Sequence, residues 1–217
     1  MKIIIALVGL VLAMWVDLAS SREIKKAFEM TVARHKSVQL SDGDVDKIFA
    51  EASKILKKCK VKLSRKGSIG TFEAPKESGE IGSTSDRDAV FKENFDIKIV
   101  PDEAVFCRPR IEDAAAGCTW DAAPGEQKPQ HKSGMIIINR TPKISGAILA
   151  HEFGHMTGLW HRSEKTALMT ACPVEHLVRF RHVQINKKEC GCIFRGPRSC
   201  HDDEPVPRKE CDPVDSF

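Results

Sequence analysis

The eleven residues His151-Glu-Phe-Gly-His-Met-Thr-Gly-Leu-Trp-His161 hold three of the chain's eight histidines, and they leave the backbone few choices. His151 and His155 are four apart, so on a helix their rings share one face, one turn apart. Thr141 and Pro142 are a natural N-cap and first helical residue for that helix. Ile144, Ile148 and Leu149, with Phe153 nearby, supply its apolar stripe. Gly158 can take the left-handed conformation that ends it, and the chain then returns His161 toward the other two rings from outside the helix. Three neutral imidazole nitrogens at one point, with a fourth position left open, make a catalytic rather than a structural metal site. Glu152 sits one step round the helix, unable to ligate easily but able to reach a water at that position.

Upstream, the pattern predicts one helix and several strands. Ser41 and Asp44 can close a capping box, and Val45, Ile48, Phe49, Ala52, Ile55 and Leu56 fall on one helical face; the helix is expected over 41–58. Val61 to Ser64 alternates as a short strand, and 64–88 reads as loop with a strand at Ile69 to Phe72. Phe95 to Val100 is a clear strand and Ala114 to Trp120, AAAGCTW, a weaker one. Gly134 to Ile138 is solidly apolar, the pattern of a strand buried on both faces. Residues 22–40 are either a short leader or an N-terminal strand. A last helix is expected over about 173–188, with Val174, Leu177, Val178 and Ile185 inward, followed by an irregular tail from Cys190. The resulting organisation is 1–20 signal peptide, 21–40 N-terminal segment, 41–189 catalytic domain and 190–217 cysteine-rich tail. No internal repeat is visible.

The N-terminus carries Lys2, an uncharged run from Ile3 to Val16, and the small residues Ala19-Ser20-Ser21. That is the pattern of a secretory signal cleaved near Ser20 or Ser21. The run is shorter than the roughly 20 residues of a membrane span, so a secreted, extracellular protein is expected, without stable membrane association after cleavage. Behind it lie eight cysteines: Cys59, Cys107, Cys118, Cys172, Cys190, Cys192, Cys200 and Cys211. An even count in an oxidising compartment points to disulfides. Cys107 could pair with Cys118, and Cys172 with Cys59 or the tail. Cys190 and Cys192 are too close to pair readily with each other.

Composition excludes some chemistry. The chain has no tyrosine, so nothing can depend on a phenol. With 34 basic and 30 acidic residues it is only mildly basic, at +4. No basic patch interleaved with aromatics is present, and no nucleic-acid partner is expected. His131 reads as a surface histidine. Asn139-Arg140-Thr141 is a glycosylation sequon at the start of the histidine helix, more simply read as unmodified.

The stretch HEFGHMTGLWH matches the long zinc signature of the metzincin metallopeptidases. Ala167-Leu168-Met169 resembles the Met-turn that runs beneath the metal in that clan, and His161 to Pro173, HRSEKTALMTACP, resembles the matching segment of its matrixin branch. The resemblance implies an α+β, metzincin-like zinc-peptidase domain: a twisted mixed sheet packed on two long helices, a C-terminal helix, and here a disulfide-stapled tail. AAAGCTW would be the antiparallel edge strand along the cleft. The order of elements corresponds over roughly 40–189, but only 151–173 is sequence-specific. No cysteine-switch motif is found, so the resemblance is to a matrixin-like metzincin rather than to a matrix metalloproteinase.

The expected cofactor is one catalytic zinc ion on His151, His155 and His161, above Met169. Zinc would lower the pKa of a bound water to about 7 and polarise a scissile carbonyl. Glu152 would be general base toward that water and then carry the proton to the leaving amine. The substrate would be a peptide or protein, added as a strand near Ala115 to Cys118. Thr170 to Val174 would wall the pocket beyond the scissile bond. The expectation is a secreted, monomeric zinc-dependent endopeptidase. The alternatives are a secreted zinc-containing binding protein, such as a toxin or host-binding factor, without turnover, and a disulfide-stapled domain without zinc.

Overall fold

The computed structural model describes residues 26–102, 116–119, 134–162, 164, 166–170 and 183–195. Outside them lie the expected signal segment, Ala114, Ala115, Trp120, Cys107, His131, Cys172, most of the expected pocket wall after Thr170, and the tail beyond Arg195, with Cys200 and Cys211.

Seven strands and four α-helices are described: β1 (Lys26–Met30), β2 (Val32–His35), α1 (Asp42–Leu56), β3 (Val61–Arg65), β4 (Gly70–Phe72), α2 (Thr84–Phe91), β5 (Ile97–Val100), β6 (Gly117–Thr119), β7 (Met135–Ile138), α3 (Pro142–Met156) and α4 (Lys187–Arg195). A five-stranded sheet runs in the order β4-β2-β5-β7-β6, and β1 pairs with β3 in a separate parallel pair. Within the larger sheet β4, β2, β5 and β7 are parallel, while β6 closes one edge antiparallel, Cys118 facing Ile136. The sheet is therefore mixed, and Gly117–Thr119 of the expected edge strand AAAGCTW form its antiparallel edge among the described residues. Residues 26–35 form strands rather than a leader: β2 lies between β4 and β5.

Chemistry explains the middle of the sheet. Ile97 to Val100 and Met135 to Ile138 are buried at every position, as expected of strands covered on both faces. Lys98 is the polar member of that layer and is fully buried.

α1 begins as its sequence dictates. The Ser41 hydroxyl accepts from the Asp44 amide at 3.2 Å, and the Asp44 carboxylate accepts from the Ser41 amide at 3.3 Å, a reciprocal cap. Asp42 and Asp44 lie in the first turn, where the helix dipole favours negative charge. Val45, Ile48, Phe49, Ala52 and Leu56 are buried, with Ile55 at the margin. The helix tightens into a 3-10 turn over Lys57–Cys59 and stops at Lys60, whose φ is 57°.

α1 packs along α3. The approach is close at Gly146, where a Cβ would stand 2.6 Å from Glu51 Cβ and 2.9 Å from the Ile48 carbonyl. α3 also meets β7 and β6, and Ser145 through Gly154 are buried without a break. A helix covered this completely needs apolar or small residues all round; the expected single stripe is only part of its buried surface. Thr141 occupies the N-cap position but makes no side-chain capping bond. Ser145 does related work one turn in, its hydroxyl accepting from the Arg140 amide at 2.8 Å and lying 3.2 Å from the Ile138 carbonyl.

Three further expectations are corrected. α2 falls in a region read as loop. It carries only two buried residues, Val90 and Phe91, and starts on a Ser83 cap, too little apolar periodicity to announce itself. The start of the helix expected over about 173–188 lies outside the described residues, but its last part differs: α4 begins at Lys187. Residues 183–186 are not helical, and Gln184 bridges Ala167. Asn186 and Glu189 form a reciprocal cap, Glu189 N to Asn186 Oδ1 at 2.8 Å and Asn186 N to Glu189 Oε2 at 2.7 Å, and this sets the boundary. The helix then runs through Cys190 and Cys192, where an irregular tail was expected. Finally, Cys59 is bonded to Cys190, which excludes a Cys59–Cys172 pairing. Cys118 and Cys192 are each disulfide-bonded as well, though not to one another.

Candidate metal centre and active site

The three histidines converge. His155 Nε2 lies 3.1 Å from both His151 Nε2 and His161 Nε2, and those two are 3.3 Å apart. α3 supplies the first pair by its one-turn spacing. The third depends on how α3 ends. The Gly158 amide donates to the His155 carbonyl at 2.9 Å and the Leu159 amide to the Gly154 carbonyl at 3.0 Å, the two bonds of a Schellman turn. Gly158 has φ 88°, where a side chain would be strained. The chain reverses there and brings His161 back over the helix.

The tautomers follow from the partners. His151 Nδ1 donates to the Leu168 carbonyl at 2.7 Å and His155 Nδ1 to the Leu159 carbonyl at 2.9 Å. A carbonyl only accepts, so both Nδ1 atoms carry the hydrogen and both Nε2 atoms carry lone pairs. Lone pairs facing each other at this distance repel unless a cation lies among them. Ligands on a tetrahedral zinc, with bonds of about 2.0–2.1 Å, stand about 3.3–3.4 Å apart. The spacing and the nitrogen donor set fit one zinc ion, and the carbonyl partners orient the rings as metal-binding histidines require. These residues also form the cluster of potential metal ligands among the described residues. Burial keeps the His151 imidazole below its ordinary value, against the opposing effect of the Leu168 hydrogen bond, the direction that favours the neutral ring ligation needs.

Met169 packs against α3 beside the histidines. It is fully buried, and a Cβ on Gly154 would overlap its Sδ. Its turn is tied to the site twice: Leu168 accepts from His151, and Met169 accepts from the Arg162 amide at 2.6 Å.

Glu152 is 5% exposed and faces the sheet edge. Thr119 of β6 donates its hydroxyl to Glu152 Oε2 at 2.6 Å, with the Glu152 carbonyl 3.0 Å from the same hydroxyl. A Cβ on Gly117 would stand 2.8 Å from Glu152 Oε1 and 2.9 Å from Ile148 Cγ2, so that position has room only for glycine. Burial raises the Glu152 carboxyl from 4.5 to about 7, partly offset by the Thr119 hydrogen bond; a cation at the three nitrogens would act in the lowering direction. Gly117 and Thr119 were not singled out from sequence as partners of Glu152. The available signal was a glycine inside a strand, which often marks a close approach.

No protein-family model and no curated protein matches the chain. Among solved structures, it is similar to an archaemetzincin from Methanopyrus kandleri, at 14% identity and TM-score 0.48, covering 80% of this chain and 96% of that one. A zinc-dependent peptidase from Methanocorpusculum labreanum matches at 14% identity and TM-score 0.49, over 77% of this chain and 99% of that one. A metalloproteinase-II from Bacteroides fragilis matches at 11% identity and TM-score 0.45, over 77% of this chain and 52% of that one; the chain spans about half its length. Similarity of this degree leaves activity to be argued from the site alone.

Proposed function

We propose that the protein is a secreted zinc-dependent endopeptidase of the metzincin type, matrixin-like in its Met-turn segment. The observation that carries the reading is the convergence of three histidine Nε2 atoms within 3.3 Å beside a buried glutamate. A bound zinc ion would activate water and polarise the scissile carbonyl.

The chain's own residues would do the rest. His151, His155 and His161 hold the ion, and Met169 supports them from below. Thr119 holds Glu152 through Oε2, which leaves Oε1 to take a proton from the attacking water and pass it to the leaving nitrogen. Among the described residues, β6 has no further strand beyond it in the sheet order. An extended peptide could pair there by main-chain hydrogen bonds, placing its carbonyl beside Glu152. Secretion rests on the apolar leader and the even cysteine count; no helix among the described residues is long and apolar enough to cross a membrane. The substrate is taken to be a peptide or protein, and the protein a monomer.

Cleavage of a mixed fluorogenic peptide pool by the oxidised protein tests this, with and without a zinc chelator and beside Glu152→Gln. Chelation should abolish cleavage and added zinc should restore it. Glu152→Gln should keep one zinc per chain by elemental analysis while losing at least about 10²-fold to 10⁴-fold in rate, the usual contribution of a general base. A wild-type protein that carries one zinc and cleaves nothing would instead be a zinc-containing binding protein.

A further inference from the structure

Two of the three candidate ligands ride on α3, whose backbone is fixed by burial along most of its length. His161 lies instead on the short return after Gly158, outside any helix or strand. The residue that follows it is tied to the rest of the fold.

Arg162 bonds in three directions. Its amide donates to the Met169 carbonyl at 2.6 Å, and the residue forms a parallel bridge with Thr170. Its Nε and Nη2 form a fork with Glu164 at 3.0 and 2.7 Å. Its Nη1 lies 3.1 Å from both carboxylate oxygens of Glu189. The two carboxylates differ in kind. The Glu164 side chain is 52% exposed and the Glu189 side chain only 7%. A pair with the exposed partner holds little, whereas a buried carboxylate without its cation is strongly unfavourable.

Glu189 is itself anchored. It caps α4 through the Asn186 amide at 2.7 Å. The following residue, Cys190, is bonded to Cys59 at the end of the turn that closes α1. Cys192 and Ile193 bury the same helix against the core. A continuous path of covalent and buried polar links thus runs from α1, through the disulfide and Glu189, to the residue beside His161.

We propose that Arg162, clamped by Glu189, is a positioning residue for the third metal ligand, so that α4 and its disulfide set the affinity of the metal site. The inference rests on the reading of the three histidines as a zinc site. Two ligands on a rigid helix bind weakly if the third must be ordered at the moment of binding; the clamp supplies that order beforehand. Outer partners of metal ligands commonly change affinity by about 10-fold to 100-fold.

The experiment uses the full oxidised chain, stripped of metal and titrated with Zn²⁺ against a chromophoric chelator and with Co²⁺ in the visible. The variants are Glu189→Gln, which keeps the shape and one cap acceptor, and Arg162→Lys, which keeps the charge but has one nitrogen where arginine's three span Glu164 and Glu189. Asp46→Asn is the control; it breaks the Arg65–Asp46 pair, at 3.1 Å, between β3 and α1. Wild type should bind one Co²⁺ with tetrahedral d–d bands. Both clamp variants should weaken Zn²⁺ binding about 10-fold to 100-fold and shift the Co²⁺ bands. Asp46→Asn should leave both metal readouts unchanged. Unchanged affinity and spectrum in the clamp variants overturns the proposal, as does an equal weakening in the control. If Glu189→Gln does not fold, Arg162→Lys decides alone. A wild-type chain that binds neither ion removes the zinc reading itself, a result distinct from the failure of the clamp.

Discussion

Glu152 draws its setting from two neighbours on a strand that the sequence presents only weakly. Thr119 holds Oε2, and Gly117 leaves space for Oε1. Replacing Thr119 by valine removes the hydroxyl with little change in shape. A hydrogen bond to a charged group is worth about 1.5–3 kcal/mol, so Thr119→Val should lower kcat/KM roughly 10-fold to 100-fold with zinc content unchanged. An unaffected rate would show that Thr119 does not orient the base. Gly154 tests the opposite side of the helix. Its missing Cβ is the space that Met169 Sδ fills, so Gly154→Ala should cost about 1–3 kcal/mol by overpacking. Adding Met169→Ala should recover part of that loss, because contacting sites are not additive. Strict additivity in urea unfolding would mean that the two residues do not press on each other.

At the scale of elements, the start of α1 was legible because its cap is a local matter: Ser41 and Asp44 are three apart and bond to each other. Hydrogen bonds from Ser41, then the Lys47 contact, hold the Asp44 carboxyl down at about 2 from 3.8. The folded value is below the unfolded one, so the contribution is present above about pH 4 and fades as pH falls toward 2. The melting temperatures of wild type and Asp44→Asn should therefore differ at neutral pH and converge across that interval. A gap that persists to pH 2 would refute the ionic part of the cap. α4 has the same reciprocal chemistry in Asn186 and Glu189, yet the spacing of Val174, Leu177, Val178 and Ile185 carries a helix on through 183–186, which are not helical. The pairing of Gln184 with the Met-turn at Ala167 is a tertiary contact that no period encodes. α2 was missed because an eight-residue helix with two buried side chains has almost no stripe to read.

For the whole molecule, the bond between Cys59 and Cys190 links residues 131 apart. It joins the end of α1 to the helix that carries Glu189. Closing a loop of this length restricts the unfolded chain by about 4–5 kcal/mol in the entropic model, with observed losses on removal of about 2–5 kcal/mol. The double variant Cys59→Ser/Cys190→Ser should lose that much in urea unfolding. A loss below about 0.5 kcal/mol would place the stabilisation elsewhere.

What the sequence by itself determined is whatever depends on residues close along the chain: the capped start of α1, the strand Ile97–Val100, the doubly buried strand Met135–Ile138, and the histidine helix with its glycine turn. Helical spacing and a left-handed glycine are local geometry, so the convergence of His151, His155 and His161 could be read from eleven residues. Only the tertiary structure decided which partners hold those groups. Thr119 reaches Glu152 across 33 positions, Arg162 meets Glu189 across 27, and Cys59 meets Cys190 across 131. Each contact is made between residues whose own neighbourhoods contain no trace of the other. They are brought together by packing, α3 between α1 and the sheet edge and α4 against the turn that closes α1, and that packing exists only once the chain has folded.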